Sequence, residues 1–161
     1  MTTGKSLPAD IDAPKESDWV VVMPAYNAEE IIGECLDAII RAGFPPETIT
    51  VVDDGSQDRT GEVAAKRGAN LHRNENTQRP AEARNRGAAL AGGDIILFVD
   101  SDVCIDTAIK SSLLDHMSDA SVTGVIGCYD SSPQSKSLVG KYRNLLHAYT
   151  CLLYTSDAAD E

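Results

Sequence analysis

The sequence predicts an α/β fold built on a doubly wound, mostly parallel sheet flanked by helices. Three observations predict it. Short apolar runs rich in β-branched residues, Val20–Met23, Ile49–Val52 and Ile95–Val99, are each followed by a segment of helical periodicity. These runs are nearly continuous rather than alternating, the pattern of strands covered on both faces. Each run also ends in polar or turn residues: Tyr26-Asn27, Asp53-Asp54 and Asp100-Ser101-Asp102. Ligands in open α/β sheets sit outside the carboxyl ends of the strands, so the three ends converge on one candidate site.

Taken in order, the first strand is placed at 19–25. A helix follows over 29–42, where Ile31, Ile32, Cys35, Leu36, Ile39 and Ile40 recur at the spacing of one helical face. Gly43 and Pro45-Pro46 end it. A second strand covers 49–53, and Asp54-Gly55-Ser56 turns the chain into a helix near 59–67 that stops at Gly68, with Asp58 or Ser56 as its N-cap. A short strand is placed at 69–73 and a polar loop at 74–78. Pro80 suits the first turn of a helix running to Ala91, closed by Gly92-Gly93. The strand at 94–99 delivers the Asp-x-Asp pair. A helix near 106–117 follows, with Asp106 as N-cap and Ile109, Leu113 and Leu114 toward the core. Ser121–Tyr129 reads as a further strand and Ser137–Thr150 as a last helix. There are no internal repeats.

The 161 residues leave room for one domain with a real core. A formal net charge of −11 argues against non-specific nucleic-acid binding and against a polybasic membrane anchor. Acidity does not exclude a phosphate-bearing ligand, because a cation can supply local positive charge. Cys35, Cys104, Cys128 and Cys151 form no CxxC pair and no zinc-finger spacing with His72, His116 or His147, and they read as buried, reduced small hydrophobes. No apolar run approaches the roughly 20 residues of a membrane helix, and residues 1–17 read as a mobile polar leader without a signal-peptide core.

Alternation along a strand would turn Asp100 and Asp102 to the same side. Two such oxygen donors suit a hard divalent cation that also holds phosphate oxygens. Other chemistries lack their motifs. The turn Pro24-Ala25-Tyr26-Asn27-Ala28-Glu29 has no glycine, which removes a G-x-G-x-x-G dinucleotide site, and neither a P-loop nor a G-x-S-x-G elbow is present.

Four segments, VVMPAYNAEE at 21–30, VVDDGSQDRT at 51–60, RPAEARNRG at 79–87 and FVDSDV at 98–103, resemble in order and spacing the successive motifs of family 2 glycosyltransferases. Tyr142-Arg143-Asn144-Leu145 is also similar to that family. The resemblance covers about 18–150 and is specific as a set rather than piece by piece. It implies the GT-A fold, a Rossmann-like sheet, with one nucleotide-sugar site, Mg²⁺ or Mn²⁺, and inversion at the anomeric carbon. Carried over by position, it puts Pro24, Ala25 and Tyr26 at the nucleoside and Glu29 close by. Asp53 or Asp54 would accept from the base N–H, and Arg84 would approach the sugar or diphosphate. Asp100 would sit at ribose or metal, with Ser101 beside it, and Asp102 would ligate the metal. Plainer readings stand next to these: Tyr26 as a packing tyrosine, Asp53 and Asp54 as turn formers, Arg84 as a surface cation.

The same resemblance implies a UDP-sugar as favoured donor. The acceptor is unknown, being a lipid-linked sugar, polysaccharide or protein, and cell-envelope polysaccharide synthesis is the expected setting. It places the general base downstream of this chain, so no residue here is assigned that role. The expectation is therefore a GT-A domain over 18–150 that is C-terminally incomplete and cytoplasmic, with any attachment to the inner face of the membrane through a missing C-terminal region. Residues 151–161 resemble the translation of a sequencing adapter and are expected to be non-native. Two rivals remain: a non-catalytic nucleotide-sugar-binding fragment, and a sugar-phosphate nucleotidylyltransferase. The latter expects a Gly- and Arg-containing loop where this chain has Pro-Ala-Tyr-Asn.

Overall fold

A computed structural model of the protein describes residues 19–75, 77, 79–119, 121–129, 138–139, 141–142 and 144–146. The leader at 1–17 and the segment 151–161 lie outside the described residues. Two compact units are present, one up to Thr123 and one from Gly124. The first contains β1 (Trp19–Ala25), α1 (Ile32–Arg41), a 3-10 turn (Pro46–Thr48), β2 (Ile49–Asp53), α2 (Thr60–Lys66), β3 (Asn70–Arg73), α3 (Pro80–Leu90), β4 (Ile95–Phe98) and α4 (Ile109–Met117). The four strands form one all-parallel sheet in the order β3-β2-β1-β4. That order reverses between β1 and β4, which is the switch point at which crevices open in such sheets.

Alternation along β1 sorts its side chains between two helical layers. Val21 and Met23 join Ile49 and Val51 of β2 in a core with Ile32, Cys35, Leu36 and Ile39 of α1, Ala64 of α2 and Leu113 of α4. Val22 and Val52 face the other way, toward α3. Most of these aliphatic side chains are fully buried, each stabilising the fold by about 1.5–3 kcal/mol relative to exposure. Helix α1 ends as its glycine predicts. Gly43, at φ +92°, lets its own N–H reach Ile40 O and that of Phe44 reach Ile39 O, while the Phe44 ring is buried against Trp19.

Several expectations are corrected. Helix α1 starts at Ile32, and Ile31 is exposed. The N-cap positions of α2 and α4 are Arg59 and Ala108, neither with a side-chain cap. Asp58 and Asp106 instead accept from the N–H two residues on, as turn formers just outside each helix. Strand β4 is not covered on both faces: Ile95, Ile96 and Leu97 are half-buried and Phe98 is 46% exposed. It pairs with β1 alone, leaving it at the edge of the sheet among the described strands. In the second unit, residues 124–129 are exposed and form no strand, and 121–123 form none either, because an apolar run becomes a strand only with a ladder partner. The described positions between 138 and 146 are helical, as expected of the last helix. The cysteines are not uniformly buried and reduced: Cys35 is buried, Cys104 is exposed in coil, and Cys128 is exposed and disulfide-bonded. Cys151 lies outside the described residues. Among the described residues no helix is long and apolar enough to cross a membrane.

Gly87 decides how closely α3 lies on the sheet. A Cβ there would stand 2.3 Å from Val22 Cγ1 and 3.2 Å from Val52 Cγ2. Gly87→Ala is therefore expected to destabilise the protein by about 2 kcal/mol through overpacking, outweighing the gain in helix propensity. Urea denaturation checks this, and Val22→Ala in the same chain is expected to recover part of the loss.

Candidate functional site

The turns after β1 and β2 are laced together by side chains. Asn27, at φ +46°, donates its N–H to Ser56 Oγ (2.9 Å), and its Oδ1 accepts from the N–H of Gln57 (2.9 Å). The N–H of Ala28 reaches Thr60 Oγ1 at 2.7 Å, and that of Glu29 reaches Asp58 Oδ2 at 3.0 Å. Glu29 Oε2 in turn accepts from the N–H and Nε of Arg59. Asp58 Oδ1 takes both the N–H and the hydroxyl of Thr60. Its burial works to raise the carboxyl, but the hydrogen bonds from the Thr60 hydroxyl and from the N–H groups of Glu29 and Thr60 prevail and hold it below its ordinary range. Ile31, at the N-cap position of α1, supplies no side-chain cap. The opening N–H groups of α1 bond locally to Ala28 O and Ile31 O, and the turn at 27–29 before it is satisfied by the neighbouring β2–α2 turn.

At the end of β2 the two carboxylates are sent opposite ways. Asp53 is fully buried; its Oδ1 accepts from the N–H of Ser56 (2.8 Å) and its Oδ2 faces Arg73 Nε at 3.6 Å. That distance makes the contact with Arg73 an ion pair rather than a hydrogen bond. Asp54 is also buried. Its Oδ1 accepts from Asn74 Nδ2 (2.7 Å), and Asn74 Oδ1 accepts from Arg86 on α3. Arg73 donates to the carbonyl of Ser56. A cleft of about 610 Å³ opens here, lined by Gly55, Ser56, Gln57, Arg73, Asn74 and Glu75.

After β4 the chain does not continue as a strand. The N–H of Val103 bonds to Asp100 O at 3.0 Å, so Asp100-Ser101-Asp102 forms a turn, and strand alternation does not set the directions of Asp100 and Asp102. Asp100 Oδ1 is paired with Arg84 of α3. Among the described residues no group of three or more His, Cys, Asp or Glu gathers as a standing metal cage. The donors present, two carboxylates in one exposed turn, suit a magnesium- or manganese-type cation that keeps waters and borrows phosphate oxygens, and do not suit zinc.

The expected residues thus fall into three groups along one edge. Pro24 and Ala25 are buried at the end of β1, and Tyr26 is 49% exposed beside them. Asp53 and Asp54 are buried at the end of β2. Arg84, Asp100, Ser101 and Asp102 stand after β4 and on the facing helix. Arg73, Asn74 and Arg86 were not singled out by sequence. The one signal for Arg86 was its place in the segment RPAEARNRG. Arg73 and Asn74 carried none, because their role comes from β3 lying parallel to β2.

A family model described as "Glycosyl transferase family 2" matches residues 20–156. The "uncharacterized glycosyltransferase EpsJ" of Bacillus subtilis (strain 168) is 32% identical over 125 residues, covering 74% of this chain and 36% of that protein. The structure of S. aureus TarS 1–349 in complex with UDP is similar with a TM-score of 0.60 and 26% identity, over 73% of this chain and 40% of that one. Glucosyl-3-phosphoglycerate synthase from Mycobacterium tuberculosis, solved with Mn²⁺, uridine diphosphate and glucosyl-3-phosphoglycerate, gives a TM-score of 0.51 at 30% identity, over 63% and 39%. The chain spans well under half the length of the first curated relatives it matches.

The Asp58 brace has a pH signature. A carboxylate held below its ordinary value of 3.8 contributes stability that is complete above that pH and is lost as the pH falls through the lower folded value. Asp58→Asn is expected to lower the melting temperature at neutral pH, and the gap from the parent to narrow below that value. A gap unchanged in acid would assign the loss to packing instead.

Proposed function

The chain belongs to glycosyl transferase family 2 and has its GT-A α/β fold, and from that premise we propose that it is the nucleotide-sugar-binding part of a glycosyltransferase. The donor proposed is a UDP-sugar, the cation Mg²⁺ or Mn²⁺, and the outcome inversion. The observation that supports this best is the meeting of Tyr26-Asn27, Asp53-Asp54 and Asp100–Asp102 at the carboxyl edge of three adjacent parallel strands, astride the switch point. That TarS was solved with UDP and the mycobacterial synthase with UDP and Mn²⁺ supports the choice of donor and cation.

In this reading Tyr26, half-exposed above the buried Pro24 and Ala25, offers its ring to the base. Glu29, fixed by Arg59, holds the rim of that pocket. The Asp53/Asp54 pair receives the base N–H, its position set by Ser56, Arg73 and Asn74. Arg84 is neutralised by Asp100 until the donor arrives. A diphosphate gives the guanidinium a doubly charged, bidentate partner and releases Asp100 toward ribose or cation, with Ser101 alongside. Asp102 and Asp100 would hold the divalent ion, whose chemistry is Lewis-acid compensation of the charge that develops on the departing diphosphate. Fixing these groups beforehand lowers the cost of reorganisation as the anomeric bond breaks. In this reading no residue of the chain is assigned as the general base that activates the acceptor hydroxyl.

Calorimetric titration of the protein with UDP, with and without Mn²⁺, tests the reading. Mn²⁺-dependent binding is expected, and Asp102→Ala is expected to weaken it at least about tenfold. Binding of equal strength in Asp102→Ala, or none by folded protein with UDP, GDP or dTDP, would overturn it.

A further inference from the structure

Two thiols stand outside the chemistry assigned above. Cys35 lies on α1 with no exposed surface, between the buried Ile32, Leu36 and Ile39. Cys104 is exposed, in coil two residues beyond Asp102. Their Sγ atoms are 3.2 Å apart, although the residues are 69 positions apart in sequence. They are also the free cysteines among the described residues. A disulfide needs an S–S separation near 2.05 Å, so closure by roughly 1 Å would join them. Because α1 is held by the core and Cys104 is on an exposed segment, that closure is drawn from the Cys104 side.

We propose that Cys35 and Cys104 form a reversible disulfide site, through which a low-molecular-weight disulfide such as oxidised glutathione ties the segment after Asp102 to α1 and weakens nucleotide–metal binding. The effect on binding rests on the function proposed above; the disulfide itself does not. The order of events follows from exposure. The Cys104 sulfur attacks one sulfur of the oxidant, the oxidant's S–S bond breaks, and one glutathione thiol leaves with the Cys104 proton. Cys35, which the oxidant cannot reach, then attacks the Cys104 sulfur of the mixed disulfide, and a second thiol leaves with the Cys35 proton. Two electrons pass from the cysteine pair to one oxidant molecule, and a thiol reductant reverses both steps. Asp102 sits two residues from the sulfur that moves. Binding constellations need their groups held within about 0.5 Å, so a displacement of this size is large enough to spoil the turn.

The test is oxidation of the whole chain by oxidised glutathione, followed by non-reducing peptide mapping by mass spectrometry and by UDP titration in Mn²⁺. A cross-linked Cys35–Cys104 peptide pair is expected, removed by reduction, with Cys35→Ser accumulating a glutathione adduct at Cys104. The oxidised chain is expected to bind UDP about tenfold more weakly, to recover on reduction, and to show no such loss as Cys104→Ser. A folded chain that gives no cross-link overturns the proposal. A cross-link with unchanged UDP affinity overturns its regulatory half. A cross-link in a chain that binds no UDP in either redox state confirms the disulfide and overturns the binding role together with the reading beneath it.

Discussion

The backbone N–H groups of Asn27, Ala28 and Glu29 find their acceptors on Ser56, Thr60 and Asp58, residues 29 to 32 positions away. The rest of the site depends on this lacing. A buried donor left unpaired costs about 1–3 kcal/mol, and of the three the Ala28 N–H is the buried one, with the bonds of Asn27 and Glu29 part-buried on either side of it. Helix α1 itself opens on local bonds, the N–H groups of Ile31 and Ile32 both reaching Ala28 O, while the turn before it is held by the β2–α2 turn. The position of Tyr26 is thereby tied to that of Asp53 and Asp54, and the N–H of Asp54 closes the connection on the carbonyl of Ala25.

Charge is organised on the same edge. The chain carries a formal net charge of −11, yet its acidic groups here meet cations or strong donors: Glu29 with Arg59, Asp53 with Arg73, Asp54 with Asn74 and through it Arg86, Asp100 with Arg84. Asp53 and Asp54 are buried carboxylates, which is tolerable only with such partners. In the proposed reading, a diphosphate entering this edge would meet alternating charges that can re-pair, rather than a uniformly acidic wall. The more exposed pairs, Arg84–Asp100 and Arg59–Glu29, are the cheaper ones to exchange, since solvent already screens them.

Much of the site was legible in the chain, in a specific sense. Apolar runs and periodicity located β1, β2, α1 and α4 to within a few residues, because apolar spacing reports directly which faces must be buried, and turn, cap and breaker residues bounded α2 and α3. The polar ends of the strands were legible for the same reason, since each marks where burial stops. The direction of Asp100 and Asp102 was not. Strand alternation was extended past Phe98, where the ladder to β1 ends and the turn bond from Val103 to Asp100 takes over. Arg73 and Asn74 gave no signal, since the last residue of β3 and the one after it become neighbours of Asp53 and Asp54 only through the register of β3 on β2. Ser121–Tyr129 looked like a strand because propensity and apolar content are local properties, whereas a strand is made by its neighbour.

By itself, then, the sequence determined which segments are strands and helices in the first unit, that the sheet is parallel and wound on both faces, and which residues stand at its carboxyl edge. These follow from burial patterns that act over one or two turns of chain. Only the tertiary structure decided the strand order β3-β2-β1-β4, the half-exposed character of β4, the opposite directions of Asp53 and Asp54, and the contact of Cys35 with Cys104. Each of these depends on which distant groups are available to satisfy a donor, a charge or a ladder edge, and that is a property of packing between segments rather than of any one of them.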